Sequence, residues 1–397
     1  MSINPRAYLD HNASAPLRPE ARAAMIAALD LDGNASSVHD EGRRARAAIE
    51  DAREAVAAVV GAKAEEVVFT SGATEANNWA IRCAATRLVV GASEHDSVLA
   101  PARLVDPGLV VLPCDSEGVV QVPAAVFAAG QAGTGRGCLS LQFANGETGV
   151  LQEVSGPGAS ARAAGFVVHC DAVQAVGRVG VDFAALGLDL MSVSSHKLGG
   201  PKGAGALVIR DGLDLPALLA GGGQERRRRS GTENVPAIAG FGAAAKAAQN
   251  QLGLMHEVAR LRDLLEAGIA SITPDAVVIG EGATRLPNTS CVALSGADAA
   301  SLLIKLDLAG VAVSAGSACS SGKIGASHVL TAMGIDDRLA RGAIRVSMGH
   351  TTTSDDVNRF LAAWEAIHAK ARNVQCSRWD FEAAPDRLPL GQTSAGE

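Results

Sequence analysis

The feature that most restricts what this chain can become is a series of short apolar segments set at regular spacing through its first half. Seven of them, 66–70, 87–90, 109–112, 138–143, 166–170, 189–193 and 205–209, are four to six residues long and rich in valine, leucine and isoleucine. Apolar runs without polar alternation are the mark of strands buried on both faces. Helical or irregular stretches separate most of them, and strands alternating with helices build a largely parallel sheet covered on both sides. Ahead of the first run, residues 43–60 place Ala45, Ala48, Ile49, Ala52, Val56 and Val59 on one helical stripe, which Gly61 ends. The expected class is α/β, with a mostly parallel seven-stranded sheet between helices occupying residues 13–250.

Past residue 235 the pattern changes. A long amphipathic helix is expected over 235–271, broken near Gly253. Short strands near 276–279, 289–294 and 343–348 then alternate with helices near 297–309 and 354–371, giving a smaller α+β domain over 251–372. The N-terminal segment 1–12 is expected to pack with it. The polar, aperiodic stretch 373–397 reads as a mobile tail.

Charge and cysteine usage narrow the class further. A formal charge of −7 gives no global field that favours nucleic acid. The one basic run is Arg226-Arg227-Arg228-Arg229; taken alone it reads as a solvated or salt-bridged loop. No apolar stretch has the length of a membrane span or of a signal-peptide core. The seven cysteines are scattered without a C-x-x-C pair, which fits a reducing cytoplasm better than a disulfide framework. Six of them read as small buried hydrophobes or as otherwise non-catalytic.

Three motifs carry chemistry. Thr70-Ser71-Gly72-Ala73-Thr74-Glu75 follows a strand and opens a helix, where unpaired N–H groups and the helix dipole favour a phosphate. An ordinary N-cap is the commoner meaning of such a turn taken alone. Asp171-Ala172-Val173-Gln174 begins at the C-terminal end of the 166–170 strand, the edge at which open α/β sheets bind ligands. Ser194-Ser195-His196-Lys197 follows the next strand. A pyridoxal-phosphate enzyme needs a lysine for a Schiff base and an acid at the pyridine nitrogen. Asp171 and Lys197, at the ends of neighbouring strands, can face one cofactor. A helix cap and a surface lysine are the competing meanings, each plausible singly and weaker jointly.

With these pieces in order the chain resembles the cysteine desulfurases of the NifS/IscS-like branch, within the class-V aminotransferase family of fold-type I. The matching pieces are Tyr8-Leu9-Asp10-His11-Asn12-Ala13, residues 33–39, 70–76, Glu94-His95, and residues 145–149, 169–174, 194–203, 221–235, 314–320 and 344–349. The resemblance implies pyridoxal 5'-phosphate as cofactor, held covalently by Lys197. It implies that Asp171 pairs with the ring nitrogen and that Gln174 bonds the ring hydroxyl. Ala73, Thr74, Ser194 and His196 are implied to hold the phosphate, and His95 to stack on the ring and shuttle protons. Thr232 is implied to reach the phosphate site of a second subunit, which makes the protein a homodimer, with some of the 226–229 arginines at the interface or the site mouth. Asn34 and Arg345 are the candidates for gripping the substrate carboxylate, a group that an arginine fork fits.

Cys319 lies in Ser314-Ala315-Gly316-Ser317-Ala318-Cys319-Ser320-Ser321-Gly322, a flexible Gly/Ser-rich segment. A small core cysteine is the usual reading of a lone Cys, but this polar neighbourhood opposes burial. The resemblance makes Cys319 the thiolate that takes sulfur from L-cysteine, leaving L-alanine and a protein persulfide. His95 is the candidate base, since only the thiolate is nucleophilic. A sulfur-acceptor protein is implied, either an iron–sulfur scaffold, with Cys319 touching the nascent cluster, or a tRNA-thiolation relay. No metal is expected in the catalytic site, nor direct contact with nucleic acid or membrane. A selenocysteine lyase, another class-V enzyme and a weakly active scaffold are the alternatives. One position departs: the family pattern has two asparagines before the glutamate, whereas this chain has Asn145-Gly146-Glu147. A glycine cannot supply the second amide, so a slow or weakly binding enzyme is expected, improved by Gly146→Asn.

Overall fold

Continuous apolar runs become strands buried on both faces. The computed structural model describes residues 6–128, 136–316 and 327–382, with side chains as far as residue 369. In chain order the first part comprises β1 (Ala7–Tyr8), α1 (Pro19–Leu29), α2 (Asp40–Val59), β2 (Val67–Thr70), α3 (Ala73–Ala84), β3 (Arg87–Gly91), α4 (Asp96–Val105), β4 (Val110–Leu112), α5 (Ala125–Ala128), β5 (Gly137–Ser140), α6 (Ser155–Ala163), β6 (Val167–Asp171), β7 (Leu190–Ser194), β8 (Gly205–Ile209) and α7 (Val235–Asn250). The seven strands β2 to β8 form one sheet in the order β2-β8-β7-β6-β5-β3-β4. Only β8 runs antiparallel to its neighbours. Because it reverses against both β7 and β2, β2 points the same way as the parallel strands. The C-terminal ends of β2, β3, β5, β6 and β7 therefore share one edge.

Side chains alternate between two cores. Val168, Cys170, Met191 and Val193 face a layer with Ile49, Val56 and Phe241. Val167, Leu190 and Leu207 face Trp79, Ile81 and Leu99 on the other side. Burying each such aliphatic side chain contributes about 1.5–3 kcal/mol, which holds the sheet edge rigid under the site.

The second part is made of α8 (Met255–Ile272), β9 (Val277–Val278), β10 (Thr289–Ala293), α9 (Ala299–Leu308), β11 (Val311–Ala312), β12 (Ser314–Ala315), α10 (His328–Ala332), α11 (Asp337–Ala340), β13 (Ala343–Ser347) and α12 (Ser354–Glu382). An antiparallel sheet, β12-β13-β10-β9, packs its core against α8, α9 and α12. β1 pairs in parallel with β11, and Ala7 and Leu9 join this second core. The break near Gly253 is a 3₁₀ turn, Leu252–Leu254, between α7 and α8. The last helix runs to Glu382, past the end near 371 expected from periodicity. No helix among the described residues is long and apolar enough to cross a membrane.

Candidate active site

Two adjoining chambers open at the shared strand edge. The larger, about 550 Å3, is lined by Ala73, Thr74, His95, Asp171, Gln174, Ser194, His196 and Lys197. These are all of the sequence-derived cofactor residues except Thr232. The smaller, about 330 Å3, shares His95, Gly146, Gln174 and Lys197 with it and adds Glu147, Ser327, His328 and Arg345.

One end of the larger chamber is built to receive an anion. Helix α3 starts at Gly72 with no side chain capping it. Ser71 N–H is taken by Glu75 Oε2 at 2.9 Å, and Ala76 N–H returns to the Gly72 carbonyl. No described residue accepts from the N–H groups of Ala73 and Thr74. Gly205 pairs with both Thr70 and Ser194, and a Cβ there would stand 2.7 Å from the Gly72 backbone. That close approach seats the loop on the sheet. Ser194, His196 and Lys202 complete the lining. Burial, then the charges of Lys197 and Lys202, push the His196 pKa down to about 4, so at neutral pH it is an uncharged imidazole.

Asp171 ends β6 and is 8% exposed. Its Oδ2 accepts from Asn77 Nδ2 at 2.7 Å and its Oδ1 from Val173 N–H at 3.0 Å. Both donors are neutral, and no ion pair among the described residues reaches this carboxylate. Behind it lies Glu94, wholly buried; desolvation first and the Asp171 charge second raise its pKa well above the usual range. Asn77 also donates to Ser97 Oγ at 2.9 Å, and that hydroxyl lies 2.8 Å from His95 Nδ1. Ser97 N–H donates to the same nitrogen at 3.1 Å. His95 caps α4 through Nδ1, which leaves Nε2 as its protonated nitrogen when the ring is neutral.

Lys197 sits in the 3₁₀ turn after β7, and its Nζ donates to the carbonyls of Asn12 and Ala13. Gln174 donates from Nε2 to the Asn12 carbonyl at 3.2 Å, and its Oε1 accepts from Arg178 Nη1. In the smaller chamber Arg345 pairs with Asp10 at 2.8 Å and donates to the Gly146 carbonyl at 3.1 Å. Its Nε is buried and has no partner among the described residues.

Three expected site residues stand apart. Asn34 lies on an exposed turn before α2, its Oδ1 accepting from Ser36 N–H, and lines neither chamber. Thr232 is exposed and lines a separate cavity with Arg229 and Glu225, which shares Ser71, Gly203 and Ala204 with the larger chamber. Arg229 of the basic run is tied to Glu75 at 2.9 Å. Cys319 lies outside the described residues. Its described flanks, Gly316 and Ser327, both line the smaller chamber beside Glu147, to which Ser327 Oγ donates at 2.6 Å. Of the other cysteines, burial pushes Cys138 and Cys291 up to about 12, which makes them inert as thiolates.

Sequence reasoning missed Asn77, Ser97, Arg178 and, as a lining residue, Lys202. Asn77 carried one signal, its place one helical turn beyond Ala73 on the inward face of α3. The others depend on contacts made only in the fold.

This donor set fits pyridoxal phosphate. Uncapped N–H groups and hydroxyls suit the phosphate at one end. A buried carboxylate with no ion pair among the described residues suits a protonated ring nitrogen in the middle, since an unpaired buried charge is costly. Lys197 stands on the same wall.

Comparison with known proteins agrees with this geometry. The profile of the "Aminotransferase class-V" family matches residues 7–360. A cysteine desulfurase of Cereibacter sphaeroides is 42% identical over 90% of this chain and 94% of its own. A cysteine desulfurase IscS of Dictyoglomus turgidum is 40% identical over 92% of this chain and 95% of its own. The structure of a NifS-like protein from Rickettsia africae superposes with a TM-score of 0.84 at 32% identity, covering 92% of this chain and 99% of that one. With a matching profile across most of its length and a cavity suited to the cofactor, the chain belongs to the class-V aminotransferases, a family of pyridoxal-phosphate-dependent enzymes.

Proposed function

We propose that this protein is a cysteine desulfurase, which converts L-cysteine to L-alanine and holds the sulfur as a persulfide on Cys319. The observation that carries this reading is the buried Asp171 carboxylate, which makes no ion pair among the described residues, in one chamber with the N-terminus of α3 and Lys197. The relatives' names supply the substrate.

When bound, pyridoxal phosphate supplies a protonated ring that draws electron density from the substrate α-carbon. Ala73 and Thr74 N–H, Ser194 and His196 hold the phosphate, Asp171 the ring nitrogen, and Gln174 the ring oxygen. Lys197 Nζ would hold the cofactor and would be the group placed to move the α-proton. Arg345, which lines the smaller chamber and is held by Asp10 and the Gly146 carbonyl, would grip the substrate carboxylate. His95, held by Ser97 through Nδ1, presents its Nε2–H to the chamber and would act there as a proton donor. Thr232 completes the phosphate site of a second copy, in a homodimer. The persulfide passes to a sulfur acceptor in the cytoplasm, an iron–sulfur scaffold or a tRNA-thiolation relay.

The purified protein, given L-cysteine and a thiol reductant, is expected to release alanine and sulfide one to one. Cofactor-loaded protein that forms no alanine, or that acts on selenocysteine alone, would overturn the reading.

Gly146 changes meaning in the fold. Its φ lies outside the left-handed region, so its backbone does not demand glycine. A Cβ there would stand 3.0 Å from Gln174 Nε2, and that amide is held at both ends, by Asn12 and Arg178. The gain expected from sequence is therefore replaced by crowding of a clamped amide, which costs about 1–3 kcal/mol. Gly146→Asn should lower kcat/KM for L-cysteine about tenfold. Steady-state kinetics check this, and a rise would contradict it.

A further inference from the structure

Arg178 follows β6 by one turn and is 6% exposed. Its guanidinium makes no ion pair among the described residues. Instead Nη1 donates to Gln174 Oε1 and, at 2.7 Å, to the Gln174 carbonyl, while Nη2 points to the His11 carbonyl at 3.4 Å. Burial and then the neighbouring Arg345 push its pKa down to about 9, so it keeps its charge at neutral pH.

A guanidinium only donates. An amide facing it must present oxygen, so the Gln174 NH2 group is forced to the opposite side. There it meets the Asn12 carbonyl and the open face of Gly146, both at the cavity wall. Without Arg178 the amide can turn over and present an acceptor to the same place, which would repel an anionic oxygen.

We propose that Arg178 is a positioning residue, which locks the Gln174 amide with its donor toward the ring oxygen of bound pyridoxal phosphate and sets the pH at which the bound cofactor titrates. This rests on the cofactor placement given above. A donor and a nearby buried cation favour the anionic ring oxygen and weaken its hold on the proton it shares with the Lys197 nitrogen. The titration midpoint is thereby kept low. The other charged or titratable groups around these cavities are Lys197, Lys202 and His196 after β7, Asp171 on β6, Glu75 on α3, Glu94, His95 and Asp96 at the start of α4, Glu147 after β5, His11 and Arg18 near the N-terminus, Glu257 on α8, His328 on α10, Arg345 on β13 with its partner Asp10, and His350 after β13. None is altered by the test.

The test is a pH titration of the visible absorbance of holoenzyme, with cofactor retention measured by dialysis. Arg178→Met is expected to raise the midpoint by about one pH unit, a tenfold change in the proton equilibrium, and to weaken retention. Arg178→Lys, also a donor only, should restore most of the shift. Gln174→Met reads the same coupling from the other side, so the double variant should add little to either single one. A loaded Arg178→Met protein that titrates as wild type overturns the proposal. So does an Arg178→Lys protein no better than Met, or additive shifts. If Arg178→Met does not fold, an unshifted Gln174→Met protein overturns it alone. Wild-type protein that takes up no cofactor overturns the cofactor placement, and the proposal with it.

Discussion

The Lys197→Ala protein loses the visible absorbance of covalently held cofactor, and its activity falls by about a thousandfold or more, the scale of a lost acid–base group. Lys197 is held at the strand edge by the carbonyls of Asn12 and Ala13, on the wall that also carries Asp171 and Gln174. Lys202, the other lysine of this cavity, stands at its exposed phosphate end. The folded variant should still bind pyridoxal phosphate weakly, because the anion cradle of α3 is untouched. Borohydride treatment followed by peptide mapping checks the assignment: a reduced cofactor adduct on Lys202 or another lysine would contradict it.

Cys319→Ser is expected to retain cofactor and its spectrum, still to bind L-cysteine, and to release almost no alanine under reductant. The loss should exceed a hundredfold, because a serine hydroxyl at neutral pH offers no thiolate equivalent. Cofactor binding draws on β2, β6, β7 and α3, none of which contains the segment that carries Cys319. Normal alanine output from this variant would contradict sulfur transfer through Cys319.

The sheet was legible because its strands are buried on both faces. All seven apolar runs lie in the large sheet, with ends displaced by at most three residues. The two-residue strands β1, β11 and β12 were not, since their pairing depends on distant partners and leaves no periodicity. Helix α1 was missed because its alanine-rich stretch has almost no apolar stripe, and Pro19 at its start signals a boundary only in hindsight. Helix α12 runs beyond its amphipathic part.

The site divides in the same way. Asp171, Gln174, His196 and Lys197 were readable because the chemistry needs those residue types at strand ends. Asn77, Ser97 and Arg178 contact Asp171, His95 and Gln174; only Asn77 carried a local signal, and nothing local in the sequence distinguishes the other two from other polar residues. Gly146 was noticed as a departure, but the clamped Gln174 amide beside it was not, because that amide comes from a segment 28 residues later.

The central claim is that this cavity removes sulfur from L-cysteine and passes it to Cys319. Its most direct test is a single anaerobic turnover of cofactor-loaded enzyme without reductant, with alanine quantified and the protein mapped by mass spectrometry. One alanine per active site and one added sulfur atom on the Cys319 peptide, absent from Cys319→Ser, is the predicted result. Alanine formed with the extra sulfur on a different cysteine, or as free sulfide with Cys319 unmodified, would contradict it.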